Sequence, residues 1–436
     1  MRKIFLSLAV LLFTVVAVAQ DGVLERLKKI DRISDIQKME VEPFNEYYQF
    51  WFEQPVDHNN PSLGTFKQKV LLGHKDYKAP MIVELQGYNI WTEKEGELAN
   101  LLKGNQLTIE HRFFNQSVPA GGIPWDYLTI KQAATDQHEI IQALRKFVYP
   151  DDKWVTTGIS KGGQTTIFHR YFYPDDVEVS VPYVAPLNLE YVDPRLQKFL
   201  DKAGFNKGSG FFETDNKPNC HWAIRDFQIR CFLNIEKLVP KVKKYAQEKN
   251  YTFEMVGGVE RAVQLMILEY PFAFWQWGAN CNEIPEGDDI DGMYDNLMAI
   301  SGPSFFEDKN IEQQQPFFYA ALTEIGMYDY DIKPFKKFLP DKENIKFTFT
   351  MPKGVVQKPF DDKQMKAINK WLQTDANRML FIYGGIDPWG ATGVDLKMNS
   401  KCRKYVRGDM HHGCRIKHLD PAAREDVMEV LKEWLK

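Results

Sequence analysis

The chain has 436 residues, a formal net charge of −4, and 44% hydrophobic against 26% charged residues. Lysine and arginine are scattered and form no basic stripe, which argues against nucleic acid as a partner. With 30 Phe, 19 Tyr and 10 Trp the chain can fill a large core, and its length exceeds what one core usually organises, so two domains or one domain with a large insertion is expected.

Residues 1–19 read as a secretory leader: a basic "MRK", an apolar run, and a small-x-small "AVA" ending at Ala19. No stop-transfer pattern follows and no cysteine stands at the cleavage point. The expected product begins near Gln20, is exported to a periplasm or the cell exterior, keeps no membrane anchor, and carries a net charge of −6 once Arg2 and Lys3 are removed. "YYQFWFEQPVDHNNPSLGTFKQKVLLG" (47–73) reads as two extended runs around a polar turn. "APMIVELQGYN" (79–89) and "QLTIEHRFF" (106–114) read as strands, "LTIKQAATDQHEIIQALRKFV" (128–148) as a helix, "KWVTTGIS" as a strand and "KGGQTTIFHRYF" as a helix. This alternation predicts an α/β fold with a parallel sheet. From about 190 to 372 the pattern turns mainly helical and aromatic. A buried strand returns in "NRMLFIYGGIDPWG" (377–390), then "CRKYVRGDMHHGCRI" gives another strand and loop, and "PAAREDVMEVLKEWLK" closes as an amphipathic helix. The expected division is a core of 20–190, a helical cap of 191–372 and a second core part of 373–436. Of five cysteines, the close pairs Cys220/Cys231 and Cys402/Cys414 are the candidates for disulfides.

Gly158-Ile159-Ser160-Lys161-Gly162 fits G-x-S-x-G between a strand and a helix, the setting of a nucleophile elbow. A serine nucleophile needs a base and an orienting acid, which in α/β-hydrolases follow in the order Ser, Asp or Glu, His. Asp387, just past the strand "MLFIYGG", and His411 or His412 in the next loop satisfy that order. Backbone N–H groups of Lys161 and of the Gly87-Tyr88 turn are the expected oxyanion donors, and the Lys161 side chain reads as a helix-face charge or as leaning over the pocket. A metal site built from Cys402, His411, His412, Cys414 and His418 matches no standard zinc spacing, so no metal or organic cofactor is expected. Trp275, Trp277, Phe272 and Phe274 read first as core. Trp277 is the candidate aromatic wall for a proline or small apolar side chain, and Glu110 with Arg112 reads as a structural ion pair.

"EQPVDHNNPSLGTFKQKV", "EHRFFNQSVP", "LTIKQAATD", "GISKGGQT", "YGGIDPWG" and "HGCRI" together resemble the lysosomal prolyl carboxypeptidase and dipeptidyl peptidase II family. They resemble its secreted bacterial relatives, the prolyl tripeptidyl/tetrapeptidyl aminopeptidases, more closely, over about residues 47–416. The resemblance implies an α/β-hydrolase core with a helical cap inserted between the nucleophile and the acid/base motifs. It implies a serine exopeptidase acting on peptides, and it favours His412 as the base. Two departures stand out: Lys161 replaces an aromatic residue after the nucleophile, and Gly87-Tyr88-Asn89 replaces a glycine-asparagine-glutamate loop. "LTEIGMYDYD" resembles a cap element of the same relatives, which makes Glu324 the candidate anchor for a substrate ammonium, beside the plainer reading of a charge at a helix N-terminus. The alternatives are an esterase or lipase on the same fold, dipeptidyl or carboxypeptidase specificity, and a non-catalytic binding protein.

Overall fold

The computed structural model describes residues 22–204, 220–339 and 345–436; the leader read at 1–19 lies outside them. Among the described residues nine strands form one sheet: β1 (Ile33–Met39), β2 (Glu46–Pro55), β3 (Thr65–His74), β4 (Met81–Leu85), β5 (Asn105–Ile109), β6 (Trp154–Ile159), β7 (Val179–Tyr183), β8 (Leu380–Gly384) and β9 (Arg403–Arg407). Their spatial order is β1-β2-β3-β5-β4-β6-β7-β8-β9. The first three strands and the β3–β5 junction are antiparallel, and the six strands from β5 to β9 run parallel.

The α-helices among the described residues are α1 (Val23–Leu27), α2 (Glu97–Leu102), α3 (Ile130–Phe147), α4 (Lys161–Phe172), α5 (Pro194–Leu200), α6 (Cys220–Leu233), α7 (Ile235–Lys249), α8 (Val259–Trp277), α9 (Ile290–Ser301), α10 (Asp308–Ala320), α11 (Lys363–Thr374) and α12 (Pro421–Trp434). Strand periodicity sorts the core into two layers. Met81, Val83 and Leu85 of β4 with Trp154 of β6 pack against Ile140, Ile141 and Leu144 of α3. Their neighbours Ile82 and Val155 face the opposite side, with Leu98 of α2 and Val427 and Leu431 of α12. This is an α/β-hydrolase core. The helices between β7 and β8 form the insertion, where Phe272, Phe274 and Trp275 of α8 are buried.

Three sequence expectations are corrected here. The disulfide joins Cys220 to Cys281, with Cα atoms 5.6 Å apart, and Cys231, Cys402 and Cys414 are buried free thiols. Cys220 and Cys231 lie on the same helix, about 16 Å apart along its axis, beyond disulfide reach. Cys402 and Cys414 belong to separate hydrophobic clusters. Glu110 and Arg112, finally, do not pair with each other. Arg112 makes a bidentate contact with Asp136 of α3 at 2.6 and 2.8 Å and also donates to the Val56 and Tyr127 carbonyls. Glu110 accepts from Ser117 Oγ and the Ile90 N–H.

Candidate active site

The chain runs from β4 outward to β5, then returns across β4 to β6, so the turns after β4 and β6 open a crevice at the carboxyl ends of the strands. Ser160 sits there, between β6 and α4, at φ 59° and ψ −122°. That backbone region costs a non-glycine residue of order 1–3 kcal/mol and persists only when its surroundings enforce it. The enforcement is visible: the Ser160 N–H donates to the Tyr183 carbonyl at 2.9 Å, and its own carbonyl accepts from the Gln164 N–H at 3.0 Å. Gly162 is required because a Cβ there would lie 2.5 Å from the Leu85 carbonyl oxygen.

Lys161 opens α4, so its N–H is among those the helix leaves unpaired. Gly87 lies so close that a Cβ on it would meet the Lys161 carbonyl carbon at 2.5 Å, and the Tyr88 carbonyl is fixed by the His111 N–H at 3.0 Å. Of the two readings open for the Lys161 side chain, the exposed helix-face charge does not hold, and the residue lines the cavity beside Ser160. It is buried, its Nζ donates to the Gly87 carbonyl at 2.5 Å, and it stands over the rings of Tyr88 and Phe114. Burial with no carboxylate partner among the described residues pulls its pKa down from 10.5 to about 7.

Asp387 and His412 lie on the loops after β8 and β9. His412 Nδ1 and Asp387 Oδ2 are 2.7 Å apart, and both residues are buried. Asp387 Oδ1 accepts from the Trp389 N–H at 3.1 Å, which leaves Oδ2 aimed at the imidazole. The His412 N–H donates to the Gln276 carbonyl of α8, and its ring meets Trp277 edge-on at 6.2 Å. His411 turns away: its ring lies against Gly278, and its Nδ1 accepts from the Gly413 N–H.

Ser160, Lys161, Tyr88 and the 60% exposed Trp277 line one cavity of about 340 Å³, within the range of small-ligand sites. Glu324 does not line it. Its carboxylate instead accepts the Ile130 N–H at 2.9 Å at the start of α3, and burial raises its pKa to about 7. The residues after it, Ile325 and Gly326, do reach the cavity. The carboxylate that lines the cavity is Glu269 of α8, which sequence reasoning passed over inside "MILEYPF"; a lone acid in an apolar helical run was the available signal.

A profile of the family described as PS-10 peptidase S37 matches residues 19–435. The chain belongs to the S37 peptidase family. Over 427 residues it is 30% identical to the prolyl tri/tetrapeptidyl aminopeptidase of Streptomyces mobaraensis, covering 95% of this chain and 85% of that protein. It is 28% identical over 160 residues to the lysosomal Pro-X carboxypeptidase of Mus musculus, about 33% of each chain. Among solved structures, an α/β hydrolase from Novosphingobium aromaticivorans aligns over 90% of this chain and 99% of its own, at 15% identity and a TM-score of 0.39. This S37 protein is a serine peptidase on an α/β-hydrolase core.

Proposed function

We propose that this S37 peptidase is exported and releases short peptides from free N-termini, tripeptides above all, with proline as the residue before the cut. Ser160 Oγ attacks the scissile carbonyl carbon while His412 Nε2 takes the hydroxyl proton. Asp387 holds Nδ1–H and so fixes both the tautomer and the orientation of the ring. The N–H groups of Lys161 and Tyr88, with Gly87 allowing the close approach, stabilise the oxyanion. The imidazolium then protonates the leaving amine, the released peptide stays esterified to Ser160, and water attacks that ester with His412 again as base. No metal or organic cofactor enters these steps. The observation that carries the reading is the 2.7 Å contact between His412 and Asp387 at the end of the sheet where the strained Ser160 lines a cavity. The 30% identity to a prolyl tri/tetrapeptidyl aminopeptidase supports the substrate class.

The test is hydrolysis of a tripeptide chromogenic amide ending in proline, N-free and N-acetylated, by the mature protein, Ser160→Ala and Asp387→Asn. Cleavage confined to the free-amine substrate, abolished by the serine change and reduced about 10³- to 10⁴-fold by the aspartate change, is expected. Cleavage of simple acyl esters with neither peptide cut would replace the peptidase specificity by an esterase one.

A further inference from the structure

Helix α8 turns one face toward the cavity. Glu269, Ala273, Gln276 and Trp277 all line it, at the i, i+4, i+7 and i+8 spacing of a single helical stripe. At 1.5 Å per residue, Glu269 lies about 12 Å along the axis from Trp277. Trp277 marks the reacting end, because its ring stands against His412.

Glu269 marks the other end, and its surroundings are unusual for a carboxylate. It is 7% exposed, and its Oε2 accepts from the hydroxyls of Tyr328 and Tyr330, each at 2.7 Å. Oε1 takes no hydrogen bond from any described residue. Among the described residues lining the cavity, Glu269 is the sole acid and Lys161 the sole base; burial raises the Glu269 pKa to about 7, and an arriving ammonium would favour its ionised form. A buried carboxylate with one oxygen held by two phenols and the other unpaired is built to receive a cation.

We propose that Glu269 binds the N-terminal ammonium of the substrate and thereby sets how many residues are released; this rests on the aminopeptidase reading above. An extended peptide spans about 3.3–3.6 Å per residue, so two residues reach about 7 Å, three about 10–11 Å and four about 13–14 Å. The ammonium–carboxylate contact adds about 2.8 Å. With that contact two residues reach about 10 Å, three about 13–14 Å and four about 16–17 Å, so three come nearest to the rise of about 12 Å between Glu269 and Trp277. The length of the released peptide is thus measured along α8.

The experiment compares wild type, Glu269→Gln and Glu269→Asp on free and N-acetylated chromogenic substrates of two, three and four residues ending in proline. Rates are expressed per active site counted by fluorophosphonate labelling. Glu269→Gln is expected to lower kcat/KM for the free tripeptide about 100-fold, mainly through KM, as loss of a hydrogen-bonded charge implies. The preference for free over acetylated substrate should collapse to within about threefold. Glu269→Asp keeps the charge but withdraws it by one methylene, and should shift the optimum toward four residues. A Glu269→Gln enzyme that still discriminates against acetylated substrates overturns the assignment while leaving the aminopeptidase reading intact. A wild type that cuts free and acetylated substrates alike overturns that reading instead. Should Glu269→Gln not fold, an unchanged length preference in Glu269→Asp is decisive against the proposal.

Discussion

Replacing Lys161 with Met should make the protein more stable and slower, with a pH signature that identifies the cause. The lysine is buried beside the nucleophile with no carboxylate partner among the described residues, and its pKa falls from 10.5 to about 7. At about 1.4 kcal/mol for each tenfold change in the proton equilibrium, that difference sets a ceiling of about 5 kcal/mol on the cost of keeping the ammonium inside. Methionine fills a similar volume without charge. It forfeits the 2.5 Å bond to the Gly87 carbonyl, which is worth about 1.5–2 kcal/mol. At pH 6 lysine is protonated in the folded and unfolded states alike, so the burial cost is fully present, and Lys161→Met should gain about 3 kcal/mol. As pH rises through 7 the folded lysine becomes neutral while the unfolded one still binds its proton. Wild-type stability therefore climbs relative to the variant up to 10.5. By pH 9.5 the two proteins should be within about 1 kcal/mol of each other. Guanidinium unfolding of both at pH 6, 7.5 and 9.5 measures the difference, and every other titrating group cancels between them. The turnover number should fall about tenfold, because the Gly87-Tyr88 turn loses its tie to the elbow. A stability difference that stays constant from pH 6 to 9.5 would refute the reasoning.

Gly162→Ala should abolish fluorophosphonate labelling of Ser160 and cost more than about 2 kcal/mol in denaturant unfolding, because its Cβ would press on the Leu85 carbonyl at 2.5 Å. Glu324→Gln should leave the ratio of free to acetylated substrate hydrolysis unchanged and cost about 1 kcal/mol in thermal or denaturant unfolding, because the carboxylate serves the start of α3. Loss of amine discrimination in Glu324→Gln would return the anchor role to that residue.

The parts of the fold that follow local rules could be read without coordinates. The strand–glycine–serine–helix passage around Ser160 and the apolar run of β8 before Asp387 each announce themselves by pattern, since burial on both faces demands unbroken apolar runs. β1 and β7 did not. β1 is an edge strand of mixed polarity with a register shift between Ser34 and Gln37, and β7 is five residues long and contains Pro182, which normally argues against a central strand. Partner choice was illegible wherever it depended on folding. Arg112 reaches past its sequence neighbour Glu110 to Asp136, and Cys220 pairs across 61 residues in preference to 11. Glu269 was passed over, and Glu324 singled out, for the same reason. Both are acids in the helical insertion, and only the path of α8 along the cavity distinguishes them.

The insertion also separates the reacting groups in time. Ser160 lies on the amino-terminal side of the helical segment, and Asp387 and His412 lie beyond it, on the loops after β8 and β9, the last two strands in the chain. During synthesis at about 5–20 residues per second, a growing chain carries its serine for roughly 10–50 s before His412 is made. On the proposed triad, an incomplete chain holds a nucleophile without a base. On the triad proposed above, a product truncated within the last two strands would be inert, and hydrolytic capacity would appear only in molecules whose translation has run almost to the end.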